Sequence, residues 1–219
     1  MSAGRSDIVE AAFRLFAERG YDATSVDDIA AAAGVSRSTF FRSYGSKEAV
    51  IFPDHDALLQ RVEDRLRSSH ADSALAAVVD AVKIVLFHYV AEGERARERY
   101  RLTSSVTALR ERELWGGLRY QRLFRAYLGR WGDGSEAAEL NAELMAASVV
   151  AAHNRVLRRW LRGEIEDPQR EIEHALAAVQ RTFAPGGAGA VGAVVVVTSS
   201  APLARIEAAV RQALAEDGS

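Results

Sequence analysis

Residues 36–47, SRSTFFRSYGSK, concentrate the side chains best suited to chemistry in this chain. Ser36, Ser38, Thr39, Ser43 and Ser46 supply hydroxyls, and Arg37, Arg42 and Lys47 supply cations, with no acidic residue between Asp28 and Glu48. Hydroxyls and cations at that density suit phosphate oxygens and base edges. The alternative is an ordinary helical hairpin with a solvated basic edge. A second concentration follows at 94–131, where ten arginines meet four glutamates and Tyr100, Trp115, Tyr120, Phe124, Tyr127 and Trp131 are interleaved. It reads as two amphipathic helices with arginines along the solvent face, their stems covering apolar surface. The sharper alternative is a pocket in which arginine grips an acid group while aromatics line an apolar part. A second DNA-binding surface is a further option. Histidines 55, 70, 88, 153 and 174 are scattered, with no nucleophile–base motif, phosphate loop or metal-ligand cluster. No catalytic residue, cofactor or metal is therefore expected. His55 reads as part of a solvated turn, because no further ligand stands at chelating spacing. His88 reads as a core histidine or as a pocket wall.

The elements that must position residues 36–47 are two short helices and a tight turn. Thr24, with Asp27 three residues on, suits a helix start. Ile29, Ala30 and Ala33 give that helix a small apolar face, and Gly34 supplies the positive φ that ends it. Ser36 is the next N-cap, ahead of a second helix of about two turns. Gly45-Ser46-Lys47-Glu48 then caps a third, whose free amides and Lys47 would together hold a phosphate. Helix, short turn with Gly, helix is the pattern that lays its second helix in a major groove. Ahead of it, Ile8, Ala12, Leu15 and Phe16 share one face of a helix expected from about Asp7 to Arg19, with Ser6 as N-cap. Tyr21 closes that small core, and Arg5 is within reach of a phosphate.

Residues 5–52 as a whole, with LFAERGYDATSV, IAAAAGVSRSTFFR and the closure Tyr44…Ser46-Lys47-Glu48 in order, resemble the DNA-binding domain of the TetR family of transcriptional regulators. Two positions depart from the family's habit, Ser43 for histidine or tyrosine and Phe41 for tyrosine, which puts affinity in question more than fold. The resemblance implies an all-α protein. Residues 1–52 would be a three-helix DNA-binding domain, and 53–184 a helical effector-binding and dimerisation domain. It implies a homodimeric repressor, released from a near-palindromic double-stranded operator by a small-molecule effector. Ser38, Thr39 and Phe40 would contact bases, Arg37, Arg42, Tyr44 and Lys47 bases or backbone, with Thr24, Ser36 and Ser43 beside them. A looser likeness to a lipid-responsive subgroup favours an anionic, lipophilic effector such as an acyl-CoA or fatty acid. Candidate pocket residues are His88, Tyr100, Arg101, Leu109, Trp115, Tyr120, Phe124, Tyr127 and His153. The alternative function is a helical module that binds a small molecule or a protein and has lost operator recognition.

Composition sets the outer bounds. A chain of 219 residues with 48% hydrophobic and 26% charged residues is an ordinary globular protein. It has no cysteine, hence no disulfide or thiol chemistry. Net charge −2 means that any DNA affinity must come from a local patch. Without a signal peptide or an uninterrupted run of 18 or more apolar residues, a cytoplasmic protein with no membrane partner is expected. Residues 72–91 predict a buried helix with Leu75, Val78, Val79, Val82, Leu86 and Val90 in its stripe. Pro53 interrupts the chain ahead of a helix bearing Leu58, Leu59, Val62 and Leu66. Two further amphipathic helices run from about Ser135 to Arg162 and, after Asp167-Pro168, from Gln169 to Phe183. The family resemblance makes this pair the dimerisation face, carried by Leu144, Ala147, Ala151, Leu157, Trp160, Ile172, Leu176 and Val179. Residues 185–219 read as a glycine-rich linker, a possible short strand at Val194–Val197 and an extra helix after Pro202, with no assigned role.

Overall fold

Apolar residues spaced three and four apart give the longer helices of the body their inner faces, and among the described residues every element is helical. The computed structural model describes residues 4–52, 55–69 and 74–184. The strand and extra helix expected in 185–219, and the side chain of Trp115, lie outside the described residues. Helix α1 (Arg5–Arg19) starts two residues earlier than the Ser6 cap predicts, because Gly4 takes the cap and its amide is held by Asp7. Helix α2 (Val26–Ala32) is capped by Ser25 with Asp28, a reciprocal capping box one residue beyond the predicted Thr24–Asp27 pair. Gly34, at φ +67°, makes the turn, and Val35 N donates to Ala30 O behind it. Helix α3 (Arg37–Tyr44) follows with Ser36 as its cap. The third helix expected behind Gly45 is one 3-10 turn, Glu48–Val50, before the chain reaches Pro53. Ile8, Phe16, Ile29, Phe40 and Ile51 close the core of this N-terminal domain.

The body comprises α4 (His55–Arg67), α5 (Ala74–Glu92), α6 (Glu94–Ser105), α7 (Thr107–Gly129), α8 (Glu136–Leu161) and α9 (Pro168–Thr182). Helix α5 is apolar nearly all round and lies among α4, α8 and α9. By length and composition alone it could cross a membrane, although Asp80 and Lys83 interrupt its apolar run. Its Val78, Val82 and Leu86 are fully buried in the body, which accounts for the composition without a bilayer. Helix α9 starts where Asp167 caps an N-terminal Pro168, one residue before the start expected at Gln169. Its Ile172 and Leu176 are buried against α5 and α8 within one protomer.

The junction between domain and body comes from α6 and α7. Leu109 of α7 is fully buried in the N-terminal core, with Leu102 and Val106 packed beside it. Leu109 is therefore corrected from pocket wall to anchor. Arg99, buried and paired with Glu92 at 2.6 and 2.9 Å, donates to the Ile51 carbonyl. Arg95 lies over the Phe13 ring at 4.7 Å and Arg112 over Phe52 at 5.5 Å. Part of the arginine-rich segment thus holds the N-terminal domain, with Arg99 buried and Arg95 and Arg112 stacked on its rings.

Candidate nucleic-acid interface and effector cavity

Helix α3 carries two different sets of side chains. On its outer face, Ser36 Oγ accepts from Thr39 N at 3.1 Å and lies 2.9 Å from both Ser38 Oγ and Thr39 Oγ1. Arg42 stands exposed beyond them, 3.4 Å from Thr39 Oγ1. These groups keep donor capacity for an incoming base edge or phosphate. Arg37 pairs with Asp27 at 2.6 Å, with both side chains more than 60% exposed. A pair that exposed contributes about 0–1 kcal/mol, so a phosphate can displace it. Phe41, part exposed, lies under the Arg37 guanidinium at 5.2 Å.

The remaining predicted contacts are structural. Phe40 has 0% exposure and sits against Phe41 and Tyr44 inside the core, so it cannot meet a base. Thr24 is buried and donates to Gly20 O at 2.8 Å. Lys47 Nζ donates to Tyr21 O and Thr24 O at 2.9 and 3.0 Å and lies 4.0 Å from the Tyr21 ring centre, so its charge ties the turn rather than awaiting a phosphate. Tyr44 OH donates to Arg5 O at 2.9 Å, Arg5 returns a bond to Ser43 O, and Ser43 Oγ donates to Thr39 O. Tyr44, Ser43 and Arg5 thereby lock the end of α3 to the start of α1. Asp27, read from the sequence as part of a helix start, instead orients Arg37 across the turn.

In the body a cavity of about 590 Å³ opens among α5, α6, α7 and α8. Val82, Val85, Leu118, Val150, Leu157 and Leu161 give apolar wall, and Arg110, Glu113 and Arg158 bring charge. Tyr100, Tyr120 and His153 of the predicted set line it. His153 is 5% exposed, and burial lowers its pKa to about 4, so the ring is neutral at pH 7. Its Nδ1 lies 3.1 Å from Asn154 Oδ1, while among the described residues Nε2 has no partner. The buried Tyr120 hydroxyl also has none, and burial pushes its pKa up to about 12. Buried polar groups ordinarily have partners, so two orphans facing one cavity mark a place for a polar guest.

Other expectations need correction. Phe124 and Tyr127 belong to the packed core, away from the cavity wall. Arg101 is exposed and paired with Glu94. His88 lies 4.0 Å from Glu92 and is outside the cavity lining. His55 is no solvated turn: it starts α4, its Nδ1 is buried without a partner among the described residues, and burial lowers its pKa to about 4. Gly117 of α7 also faces the cavity, where a side chain would take up space. Of the predicted dimerisation residues, Leu157, Trp160, Ile172 and Leu176 are buried within the protomer. Leu144 and Ala151 stay exposed, Ala147 and Val179 half-buried, and exposed Leu140 extends the same side of α8.

Comparison with known proteins agrees with this geometry. Residues 8–53 match the family described as bacterial regulatory proteins, tetR family. A Mycobacterium tuberculosis protein provisionally named as the mycofactocin biosynthesis transcriptional regulator MftR is 29% identical over 161 residues, 72% of this chain and 79% of its own. The fatty acid degradation regulator FadR of Bacillus halodurans superposes with a TM-score of 0.59 at 17% identity, over 82% of this chain and 96% of its own. The Thermus thermophilus FadR, a repressor solved with lauroyl-CoA, gives 0.51 at 22% identity over 91% and 99%. At these identities the two structures speak to fold alone.

Proposed function

This chain belongs to the TetR family of transcriptional regulators, and from that premise we propose that it is a homodimeric repressor released from its operator by a ligand in the α5–α8 cavity. The domain division at residues 52 and 53 is part of the proposal. Each protomer would present Ser36, Ser38, Thr39, Arg37 and Arg42 to a major groove. Two half-sites about 34–36 Å apart would follow from the twofold. The observation that carries the reading is the double role of α6 and α7. They wall the cavity through Tyr100 and Tyr120 and hold the N-terminal domain through Arg99 and Leu109. A ligand that shifts them shifts the DNA-reading helix, and a coupling of about 1–3 kcal/mol would weaken operator binding roughly 5–150-fold.

The effector class that fits is lipophilic with an acidic end. Apolar walls from Val82, Val85, Val150 and Leu157 suit a chain, Tyr120 and His153 suit an oxygen, and Arg110 or Arg158 suits the acid. Lauroyl-CoA and laurate are the first probes. The test is fluorescence anisotropy of labelled DNA from upstream of the gene against a scrambled duplex, at about 0.15 M salt. Specific binding should exceed non-specific binding by about 10³-fold or more, with laurate or lauroyl-CoA reversing it. No preference for any genomic fragment would leave a ligand-binding module without an operator.

A further inference from the structure

A second cleft, of about 850 Å³, lies between the N-terminal helices and the α6–α7 corner, sharing only His55 with the lining of the first cavity. Six arginines line it: Arg5, Arg95, Arg99, Arg112, Arg119 and Arg122. The two carboxylates on its wall are already engaged, Glu92 with Arg99 at 2.6 Å and Asp56 with Arg119 at 2.6 Å. Arg95 reaches Glu98 at 3.5 Å. Among the described residues, Arg5, Arg112 and Arg122 have no carboxylate within the 4.0 Å of an ion pair. A concavity walled by charges of one sign focuses the field and draws in counter-ions.

We infer that this cleft binds a phosphate-bearing small molecule. Guanidinium forks match phosphate oxygens two at a time, and several arginines converging on one space favour a group with more than one negative charge. The volume exceeds what a bare phosphate fills, and the Tyr44 and Phe52 rings in the wall suit an organic body. Arg5, Ser43 and Tyr44 belong to the DNA-reading domain, while Arg112 and Arg122 belong to α7. A phosphate held between them would fix the domain relative to the body. The inference stands on the cleft alone and does not require the apolar cavity to be an effector site.

The phosphate could arrive as a separate metabolite or as the head of the molecule whose chain fills the first cavity, since only His55 is common to both walls. Isothermal titration with inorganic pyrophosphate, laurate and lauroyl-CoA, on the full chain and on Arg112→Ala/Arg122→Ala, separates these. Pyrophosphate should bind the native chain and lose about tenfold or more in the double variant, since both guanidinium partners are gone. If lauroyl-CoA then exceeds laurate in the native chain only, the phosphate is the head of the cavity's ligand. If the two bind alike, it is a separate metabolite. Laurate affinity, which reads the first cavity, should be the same in both proteins. Pyrophosphate binding that is absent, or equal in both proteins, overturns the inference. So does a double variant whose operator affinity drops with a shallower salt dependence in the absence of ligand, for the cleft would then serve the DNA backbone. Arg122→Ala alone, exposed and without an ion-pair partner, keeps the test open should the double variant misfold.

Discussion

Lys47 and Arg42 carry the same charge near the same end of the DNA-reading helix, and their surroundings give them opposite work. Lys47 Nζ is held by two carbonyls and the Tyr21 ring, so its removal leaves Tyr21 O and Thr24 O without their donor. Charged hydrogen bonds contribute about 1.5–3 kcal/mol, and Lys47→Ala should lower the urea stability by that order. Arg42 has only Thr39 Oγ1 nearby. Arg42→Ala should leave stability within about 0.5 kcal/mol while reducing the salt slope of operator binding by about one phosphate contact. Equal loss of stability in both variants would contradict this division. His153 makes a third residue-scale case. Its folded pKa is lowered to about 4 against an ordinary 6.5, so the unfolded chain binds the proton first. Stability is therefore full above about pH 6.5 and declines as pH falls toward 4. His55 adds in the same direction, for the same reason of burial. Thermal midpoints measured across pH 4–7 should slope downward toward acid, and His153→Phe should flatten that slope. A variant as steep as the native chain would place the acid sensitivity elsewhere.

At the scale of elements, the proposed ligand response runs through α6 and α7, and Leu109 is their most buried link to the N-terminal core. Truncating such a leucine costs about 2–5 kcal/mol in a single core. Leu109→Ala should therefore lower the thermal midpoint of the N-terminal domain and also loosen its response to ligand. Laurate would still bind the body with near-native affinity but release less DNA at saturation. Full release at saturation would show that α7 is not the lever. This role was hidden in the sequence, where Leu109 read as pocket and the arginines around it as an anion grip. Helix existence and order followed well from periodicity, with α8 and α9 within about a residue of their expected ends. The burial of Phe40 was not legible, because RSTFFRSY offers two adjacent phenylalanines and only the packing of α1 and α2 says which points inward. Lys47 misled for a related reason, since the carbonyls that hold it belong to residues more than twenty positions earlier. Gly116-Gly117 went unnoticed too, although two glycines inside α7 cost helix stability and keep side chains out of the cleft and the cavity.

At the scale of the whole molecule, one protomer leaves Leu140, Leu144 and Ala151 exposed on one side of α8. Four of the eight residues expected at a dimer face are buried within the chain, so the proposed face would be narrower than the sequence stripe and centred on α8. Exposed leucines at helical spacing beside small side chains suit a second copy of the same helix, because Ala147 and Ala151 let backbones approach. Leu144→Glu tests the assignment without touching the protomer's core, since Leu144 is 50% exposed in the single chain. A carboxylate buried without a partner costs several kcal/mol, which would weaken the dimer by a hundredfold or more, roughly. Sedimentation should show monomers at about micromolar concentration, where the proposed native dimer would persist. Operator binding should fall with the dimer, because a monomer reads one half-site and forgoes the second. The fold of the variant, read from its thermal midpoint, should hold within about 0.5 kcal/mol, as surface changes do. A variant that stays dimeric and keeps its operator would move the twofold off this side of α8.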